Sequence, residues 1–386
     1  MFFTLVFMIL CIDLATDIYV PSLPEVSKLW DLSEEVVILS ISINLIGMAL
    51  SSIFYGIIGD VVNKKNILIW AFILFILGTF GCIITVTFKY FLVFRFIQGL
   101  GGGVSYLSFA YLQSFYDEIQ YTKKLSILNA LISLSPGLGP TIGSYIAYYL
   151  TWKLNFLVIF VISCFVLVLM PCCLKNDKIA LKLSSKKTLV YKDFLVNKQA
   201  LSYSIIYILT MSWCWADLSN LPNIYINSMS VKSINYGYYM LTFTSSYILG
   251  CLYNNYFLEG KDSLDITLKY GILLVLSSST LVTLIIHFTT NPVIIHFFKL
   301  ISYFGLPIIL SNSMTKVFLH APNSSTIASS LLNFFQLLTS SLVCFIIALL
   351  GKESIKILTM YTLLVGIITS IILYYLNKGI KYDSIR

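Results

Sequence analysis

One stretch near the start of the chain constrains the whole architecture, and it reads Thr16-Asp17-Ile18-Tyr19-Val20-Pro21-Ser22-Leu23-Pro24. It closes an apolar run that begins at Phe2, so Asp17 falls inside a segment long and apolar enough to cross a bilayer. An ionisable side chain there costs roughly 3 kcal/mol on insertion scales and marks a functional site by default. Pro21 and Pro24 remove backbone donors, which predicts a bend or an end of the helix just beyond Asp17.

The composition predicts a membrane protein. The chain is 58% hydrophobic and only 11% charged, whereas soluble domains carry about 25% charged residues, so the bilayer must be its main solvent. The net charge of +8 comes from basic residues between the apolar runs, as membrane topology places them, and we expect no nucleic-acid partner. Most of the eight cysteines lie inside apolar runs, which argues against a disulfide framework. The first run lacks the basic flank of a signal peptide, so we expect it to remain as the first span.

Twelve apolar windows of about 20 residues predict twelve transmembrane helices. Their limits are 2–24, 36–58, 66–87, 90–112, 125–149, 154–173, 200–222, 235–257, 266–287, 292–312, 326–350 and 354–376. The longest polar interruption is rich in lysine and divides the spans six and six. We therefore predict an all-α membrane protein with an amino-terminal six-helix half at 1–173, a basic cytoplasmic linker at 174–199, and a carboxy-terminal six-helix half with a short cytoplasmic tail at 200–386.

The distribution of lysine predicts the orientation. With the amino terminus inside, the inner loops hold Lys64, Lys65 and the lysine-rich linker, while the outer loops hold far fewer basic residues. The positive-inside rule therefore places both termini in the cytoplasm. Two parallel groups of six helices are typical of transporters whose substrate site lies near the midplane between the halves. An unrelated twelve-span receptor or scaffold is the alternative that topology leaves open.

Arg95 lies inside the fourth span and is followed by Gln98-Gly99-Leu100-Gly101-Gly102-Gly103. The glycine run lacks the spacing and the preceding strand of a nucleotide-binding loop, so we reject that interpretation. An arginine within a span almost always faces the bundle interior or an acid. Counting the helical rise from the predicted outer ends puts Asp17 and Arg95 at the same depth, roughly 10 Å inside. A pair between the two across the bundle, directly or through water, is therefore geometrically allowed.

Other interior groups extend this candidate site. Asp13 lies one helical turn from Asp17 on the same face. It is either a second acidic step or a protonated group that is hydrogen-bonded in the interior. Asp217 occupies the matching place in the seventh span, shortly before Pro222, and either faces Asp17 across a cavity or is solvated at the helix end. Candidate aromatic faces for a lipophilic cation are Tyr19, Trp213 and Trp215.

The turn after the second span carries a family resemblance. It reads Gly56-Ile57-Ile58-Gly59-Asp60-Val61-Val62-Asn63-Lys64-Lys65. At Gly56, Asp60, Lys64 and Lys65 it resembles the Gly-x-Leu-x-Asp-Arg-x-Gly-Arg-Arg/Lys turn of the major facilitator superfamily. Val61 replaces an arginine, and Asn63 replaces a glycine whose left-handed conformation asparagine tolerates. Gly56 is expected to allow two helices to approach closely, and the charges are expected to pair across a moving cytoplasmic gate.

Three more motifs extend the resemblance along the amino-terminal half. Arg95-x-x-Gln98-Gly99-x-Gly101 is similar to the fourth-helix motif of the superfamily. The fifth span resembles the motif of its drug/proton antiporters at Pro136, Gly137, Gly139, Pro140 and Gly143. These prolines break intrahelical bonds, and the glycines at 139 and 143 offer a flat packing face. Asp17-x-Tyr19-x-Pro21-x-x-Pro24 resembles the first helix of the bicyclomycin/chloramphenicol-resistance (Bcr/CflA) branch.

The resemblance implies a major facilitator fold and proton-coupled export of small lipophilic or drug-like compounds by alternating access. Asp17, with Asp13, would exchange a proton against substrate, and Arg95 would hold that acid in place. A monomer in the inner membrane without a cofactor is expected. An importer of a nutrient or metabolite, or a non-transporting receptor, are the alternatives. An enzyme is not expected, because the three histidines lack metal spacing and no nucleophile–base constellation stands out: His287, His296 and His320.

Overall fold

The structure is a computed structural model that describes residues 1–59, 62–116, 128, 131–132, 134–176, 196–257, 263–289, 291–320, 325–349 and 354–383. Within these ranges the regular structure is helical, which confirms the all-α prediction. The helices are α1 (Phe2–Asp17), α2 (Leu23–Trp30), α3 (Glu34–Ile58), α4 (Lys64–Ile84), α5 (Phe88–Gly102), α6 (Ser105–Gln113), α7 (Ser135–Tyr149), α8 (Lys153–Cys173), α9 (Lys198–Pro222), α10 (Ser233–Phe257), α11 (Ser263–Ile285), α12 (Pro292–His320), α13 (Ser325–Leu349) and α14 (Ser354–Asp383).

The helices follow the predicted spans. In the described residues, seven segments are long and apolar enough by themselves to cross a membrane. The first span consists of α1 and α2, and the fourth consists of α5 and α6. The helices of the tenth and twelfth spans, α12 and α14, run further than predicted, to His320 and Asp383. Hydropathy windows end where polar residues begin, whereas a helix can continue into the polar boundary.

The first span is broken directly after Asp17. A 3₁₀ turn at Val20–Ser22 separates α1 from α2, and the new helix continues to Trp30 instead of ending at Pro24. Pro21 and Pro24 each sit in the first turn of the segment that follows, where the missing N–H costs no intrahelical hydrogen bond. The predicted bend is therefore confirmed. It places Asp17 at the carboxyl end of α1, beside the break.

The fourth span is packed through its glycines. A side-chain carbon on Gly99 would lie 2.1 Å from the carbonyl oxygen of Asn44 in α3. A carbon on Gly101 would lie 2.2 Å from the backbone nitrogen of Phe75 in α4. Only glycine permits backbones to approach this closely in a helical bundle. The glycine run is thus a helix-packing surface that fixes the position of Arg95 one to two turns earlier.

Buried apolar side chains form two clusters. One is drawn from residues 2–174 together with Leu337, and the other from residues 200–373. Across the two groups, α13 packs on α3 and α10 packs on α7. Most of the predicted linker lies outside the described residues, so the boundaries at 174 and 199 remain a prediction.

Candidate functional site

Asp17 lies in a tight pocket between α1 and α7. Its side chain is 6% exposed, and its carboxylate accepts a hydrogen bond of 2.8 Å from the hydroxyl of Ser135. A side-chain carbon on Gly139 would lie 2.7 Å from Cβ of Asp17, and one on Gly143 would lie 2.0 Å from the carbonyl oxygen of Ile18. The flat face predicted for the fifth span is therefore in contact with the break in the first span.

Arg95 is fully buried in a polar cluster of the amino half. Its Nη1 donates to Oε1 of Gln98 at 2.5 Å and to the carbonyl oxygen of Ala15 at 3.3 Å, while Nε donates to the carbonyl oxygen of Ser40 at 3.2 Å. Gln98 in turn donates to Thr79 at 2.9 Å. Arg95 and Gln98, which share one predicted motif, therefore form one network.

The direct pair expected between Asp17 and Arg95 is wrong for this conformation. The carboxylate is bound to Ser135, and the guanidinium is bound to Gln98 and to backbone oxygens. The reason is the angular position around α1. Arg95 contacts the carbonyl oxygen of Ala15 and the ring of Tyr19, whereas the carboxylate of Asp17 contacts Ser135 of α7. The two charges therefore lie toward different neighbours of the first span. Equal depth did not imply a shared face.

Tyr19 lies beside Arg95 and is closed off from solvent. It is fully buried, and its ring centroid is 5.3 Å from the guanidinium carbon of Arg95. Its hydroxyl accepts from Ser40 at 3.2 Å, and its ring packs on Phe156 at 5.2 Å. In this conformation the phenol holds Arg95 in a cation–π contact and offers no face to a substrate.

Asp13 lies one turn from Asp17 and is half-buried. Its carboxylate makes no hydrogen bond to another residue in the described ranges, so the alternative of a hydrogen-bonded interior acid does not fit this conformation. The other interpretation, a second acidic step beside Asp17, stays a prediction.

The antiporter-like motif gives α7 two packing faces. Gly139 and Gly143 face α1, as described above. On the other face, a side-chain carbon on Gly137 would lie 2.4 Å from the hydroxyl oxygen of Thr244 in α10. The hydroxyl of Thr141 donates to the carbonyl oxygen of Gly237 at 3.0 Å. Pro136 lies in the first turn of α7 and Pro140 one turn further. Thus α7, whose Ser135 donates a hydrogen bond to Asp17, also contacts the other half.

The turn between α3 and α4 is only partly described, because Asp60 and Val61 lie outside the described residues. A side-chain carbon on Gly56 would meet nothing within 4 Å, so the close approach expected there is wrong. Asn63 has φ −56° and caps α4 by accepting from the backbone N–H of Lys65 at 3.0 Å, so the expected left-handed turn is also wrong. Lys65 donates to the carbonyl oxygen of Pro171 in α8 at 2.8 Å, which ties the turn to the sixth span.

Asp217 is fully buried, so solvation at a helix end is excluded. One carboxylate oxygen forms an ion pair with Nζ of Lys299, and the other accepts from the hydroxyl of Tyr303 at 2.9 Å. Lys299 is absent from the predicted site residues. Yet it carries the same signal as Arg95, an ionisable residue inside an apolar span, and that signal would have found it.

The two halves carry matching charges. Arg95 is the eighth residue of α5 and Lys299 is the eighth residue of α12, and these helices are the first segment of the fourth span and the tenth span. Asp17 lies at the carboxyl end of α1, beside the break in the first span, and Asp217 lies near the end of α9, the seventh span. The acid and the cation are joined in the carboxy half and separated in the amino half. The structure therefore holds the same pair of charges in two arrangements.

His296 belongs to the carboxy-half cluster. Its Nδ1 lies 3.0 Å from the hydroxyl of Tyr225, and its Nε2 lies 2.6 Å from the hydroxyl of Thr242. Both ring nitrogens are therefore engaged by hydroxyls. Among the described residues, histidine, cysteine and acidic side chains form no group of three that is able to hold a metal ion.

The described residues form a helical bundle with buried charges in both halves. The halves contact each other through α3 with α13 and α7 with α10. This arrangement is that of a membrane protein with several spans built from two related halves. Sequence comparison agrees, since the profile of the Major Facilitator Superfamily matches residues 5–344. The chain belongs to this superfamily.

The chain is also similar to curated multidrug resistance proteins over part of its length. The chain is 29% identical over 197 residues to the multidrug resistance protein MdtL of Shigella dysenteriae serotype 1, and equally to MdtL of Escherichia coli K12. These alignments cover 51% of this chain, and the chain spans about half the length of the curated relatives it matches.

The solved structures share the fold at low sequence identity. The xylose transporter XylE of Escherichia coli superposes with a TM-score of 0.72 at 15% identity, over 98% of this chain and 96% of XylE. A bacterial homologue of the human lysosomal transporter Spinster, inward-facing and occupied, gives 0.73 at 12% identity over 98% and 96%. These likenesses and the family match confirm the major facilitator fold, with twelve helices in two halves.

Proposed function

We propose that the protein is a secondary active transporter that exports small lipophilic or drug-like compounds in exchange for protons. The family membership supports transport, and the relatives named multidrug resistance proteins support a drug-like cargo. The first-helix motif supports the Bcr/CflA branch as the finer assignment. Lysine distribution supports an inner-membrane location with both termini in the cytoplasm, and we propose a monomer.

The observation that carries this proposal is the position of Asp17. Its buried carboxylate has a single hydroxyl donor, Ser135, and no ion pair with a residue in the described ranges. A carboxylate held this way exchanges a proton more readily than one paired with a fixed cation. The helix that holds it, α7, also packs on α10 of the other half. Movement of the halves during alternating access therefore changes the surroundings of Asp17, which couples access to protonation.

Purified protein in proteoliposomes tests the proposal. An imposed pH gradient should drive uptake of tetraphenylphosphonium, a lipophilic cation, or of chloramphenicol, a neutral amide, and addition of either transported compound should move protons. Asp17→Asn should abolish both movements, because the amide is nearly isosteric but cannot exchange a proton. Asp31→Asn is the matched control, since Asp31 is exposed and its left-handed backbone (φ 48°) suits asparagine.

Three outcomes contradict the proposal in different ways. Substrate-driven proton movement that survives Asp17→Asn removes Asp17 from the coupling step. Cells that accumulate more of both compounds when they express the protein, with or without an uncoupler, indicate an importer. Equal accumulation with and without the protein indicates a receptor or scaffold.

A further inference from the structure

The carboxy half buries a charge pair that the proposed proton exchange does not use. Asp217 of α9 and Lys299 of α12 form an ion pair, and the second carboxylate oxygen of Asp217 accepts from the hydroxyl of Tyr303 at 2.9 Å. The side chains of Asp217 and Lys299 are 0% and 9% exposed. Apolar side chains of similar volume stabilise a protein core as well as a buried ion pair does, so stability alone does not account for these charges. A role in transport is the default for ionisable groups inside a span.

Asp217 holds in the carboxy half the place that Asp17 holds in the amino half. Asp17 ends α1 just before the 3₁₀ turn at Val20–Ser22. Asp217 lies near the end of α9, just before a π-helical segment at Asn223–Ser228. The two irregular segments lie at the contact between the halves, since α9 packs on the 3₁₀ turn and the π-helical segment packs on α2. Movement of the halves therefore alters the surroundings of both acids, and by position Asp217 is a second candidate for proton exchange.

The ammonium of Lys299 decides whether this second acid takes up a proton. A cation in contact with a carboxylate favours its ionised form, and protonation of Asp217 would leave Lys299 buried as a charge without its partner. His296 lies one turn before Lys299, and hydroxyls engage both of its ring nitrogens. The other ionisable side chains of the described residues around the pair are phenols and thiols, which are uncharged at neutral pH: Cys214, Tyr225, Tyr236, Tyr303 and Cys344. Among the described residues, Lys299 is thus the cation that keeps Asp217 ionised.

We propose that Lys299 sets the number of protons exchanged in each transport cycle. Its ammonium is a built-in positive charge at the place where the amino half takes up a proton, and it keeps Asp217 ionised and out of the exchange. The inference rests on the proposed function, in which Asp17 exchanges the proton. Lys299 acts through Asp217 and is therefore a positioning residue. Without the ammonium, the buried carboxylate of Asp217 takes up one proton from outside and releases it into the cytoplasm, so one more proton crosses in each cycle.

The proton-to-substrate ratio in proteoliposomes tests this inference. Initial fluxes of tetraphenylphosphonium and of protons are measured in the same proteoliposomes at a clamped membrane potential, each corrected for protein-free liposomes, and their quotient gives the ratio. Lys299→Met should raise the ratio by about one proton relative to the wild type, because one acid is added to the exchange. The double variant Asp217→Asn with Lys299→Met should return to the wild-type ratio, since neither group then titrates. Lys316→Met, which breaks the partly exposed pair with Asp265, is the matched control and should leave the ratio unchanged.

Infrared difference spectra of the proteins in lipid, recorded between alkaline and acidic buffer, give a second measurement that needs no transport. Lys299→Met should show an additional band from a protonated carboxyl group, and the double variant should lack this band. If Lys299→Met folds but does not transport, the band decides: its presence supports the hold of Lys299 on Asp217, and its absence overturns it.

The remaining outcomes separate this inference from the proposed function. If Lys299→Met transports at the wild-type ratio, with or without the added band, Asp217 does not enter the exchange and this inference fails alone. If the double variant exchanges fewer protons than the wild type, the pair itself takes part in the exchange, which also overturns it. A wild-type protein without proton-driven uptake overturns the proposed function and this inference with it.

Discussion

At the residue scale, the two halves treat similar charges differently. In the carboxy half, Asp217 has a cation and a hydroxyl as partners, and the acid and the cation neutralise each other. In the amino half, Arg95 is held by neutral acceptors and aromatic rings, and Asp17 by a serine. A buried ion pair often contributes little net stability, but removal of one partner leaves the other charged and buried. Loss of one partner should therefore destabilise the protein at Asp217–Lys299. Asp17 and Arg95 form no ion pair that could be broken in this way.

Lys299→Met should destabilise the protein by about 3–5 kcal/mol, because it leaves the carboxylate of Asp217 buried without its cation. The double variant Asp217→Asn with Lys299→Met should regain most of this loss, since no charge is then left unpaired. Thermal unfolding in detergent, compared across the single and double variants, measures the effect.

The pair of Lys316 and Asp265 is the matched control, with an N–O distance of 2.7 Å and side chains 15% and 33% exposed. Lys316→Met should cost only about 0–1 kcal/mol, because water screens a partly exposed pair. Equal losses at the two lysines would contradict the description of Asp217–Lys299 as a desolvated pair.

At the element scale, α7 connects the acid to the opposite half. Its glycines allow α1 to approach on one side and α10 on the other, so no bulky side chain separates the two contacts. Ser135, Gly139 and Gly143 lie on one stripe at helical spacing, and Gly137 and Thr141 lie on another. A larger side chain on the first stripe should therefore displace α1 and Asp17. A glycine in the sequence is not by itself evidence of a close contact, because a side-chain carbon on Gly56 would meet nothing within 4 Å.

Gly143→Ala should destabilise the protein by about 1–3 kcal/mol, because the added methyl group would lie 2.0 Å from the carbonyl oxygen of Ile18 and force α1 away from α7. Gly56→Ala should keep or raise the melting temperature, because the methyl group meets nothing within 4 Å and alanine favours a helix by about 0.5–1 kcal/mol. Both variants are compared by thermal unfolding in detergent. A Gly143→Ala protein as stable as Gly56→Ala would show that the two helices do not meet at Ile18.

At the scale of the whole molecule, the positions of the helices and the break in the first span could be predicted from the sequence. The side of a helix on which each charged residue lies could not. The windows located the helices, and the prolines located the break after Asp17. The count of helical rise placed Arg95 level with Asp17, and its contacts with Ala15 and Tyr19 on either side of Asp17 agree with that, but level says nothing of which side of α1 a residue faces. The partner of Asp17, Ser135, lies more than a hundred residues away and carries no signal of its own. Lys299 was within reach, because an ionisable residue in an apolar span is visible in the sequence.

The contact between halves at the predicted outer end is likewise beyond sequence reasoning, because it depends on how the halves are placed. The hydroxyls of Tyr145 in α7 and Tyr238 in α10 form a hydrogen bond of 2.6 Å. Beside them, the hydroxyl of Thr141 donates to the carbonyl oxygen of Gly237. The end of the bundle near Trp30 is therefore closed between these helices. In an alternating-access cycle this contact must open once per turnover.

A reversible cross-link at this contact should stop the cycle. A side-chain carbon on Gly237 would lie 3.3 Å from Cβ and 2.8 Å from Cα of Thr141, so α7 and α10 must separate by a few tenths of an ångström to admit it. After that shift the two Cβ atoms have the separation that a disulfide spans, so Thr141→Cys with Gly237→Cys in a cysteine-free background should oxidise with copper phenanthroline. Oxidation should abolish transport in proteoliposomes, and dithiothreitol should restore it. Ser278→Cys with Ser302→Cys is the control, because these hydroxyls lie 2.6 Å apart on α11 and α12 of one half. Their disulfide should leave transport intact, since helices of one half move together. Transport that continues with the first pair oxidised would show that the halves do not separate here.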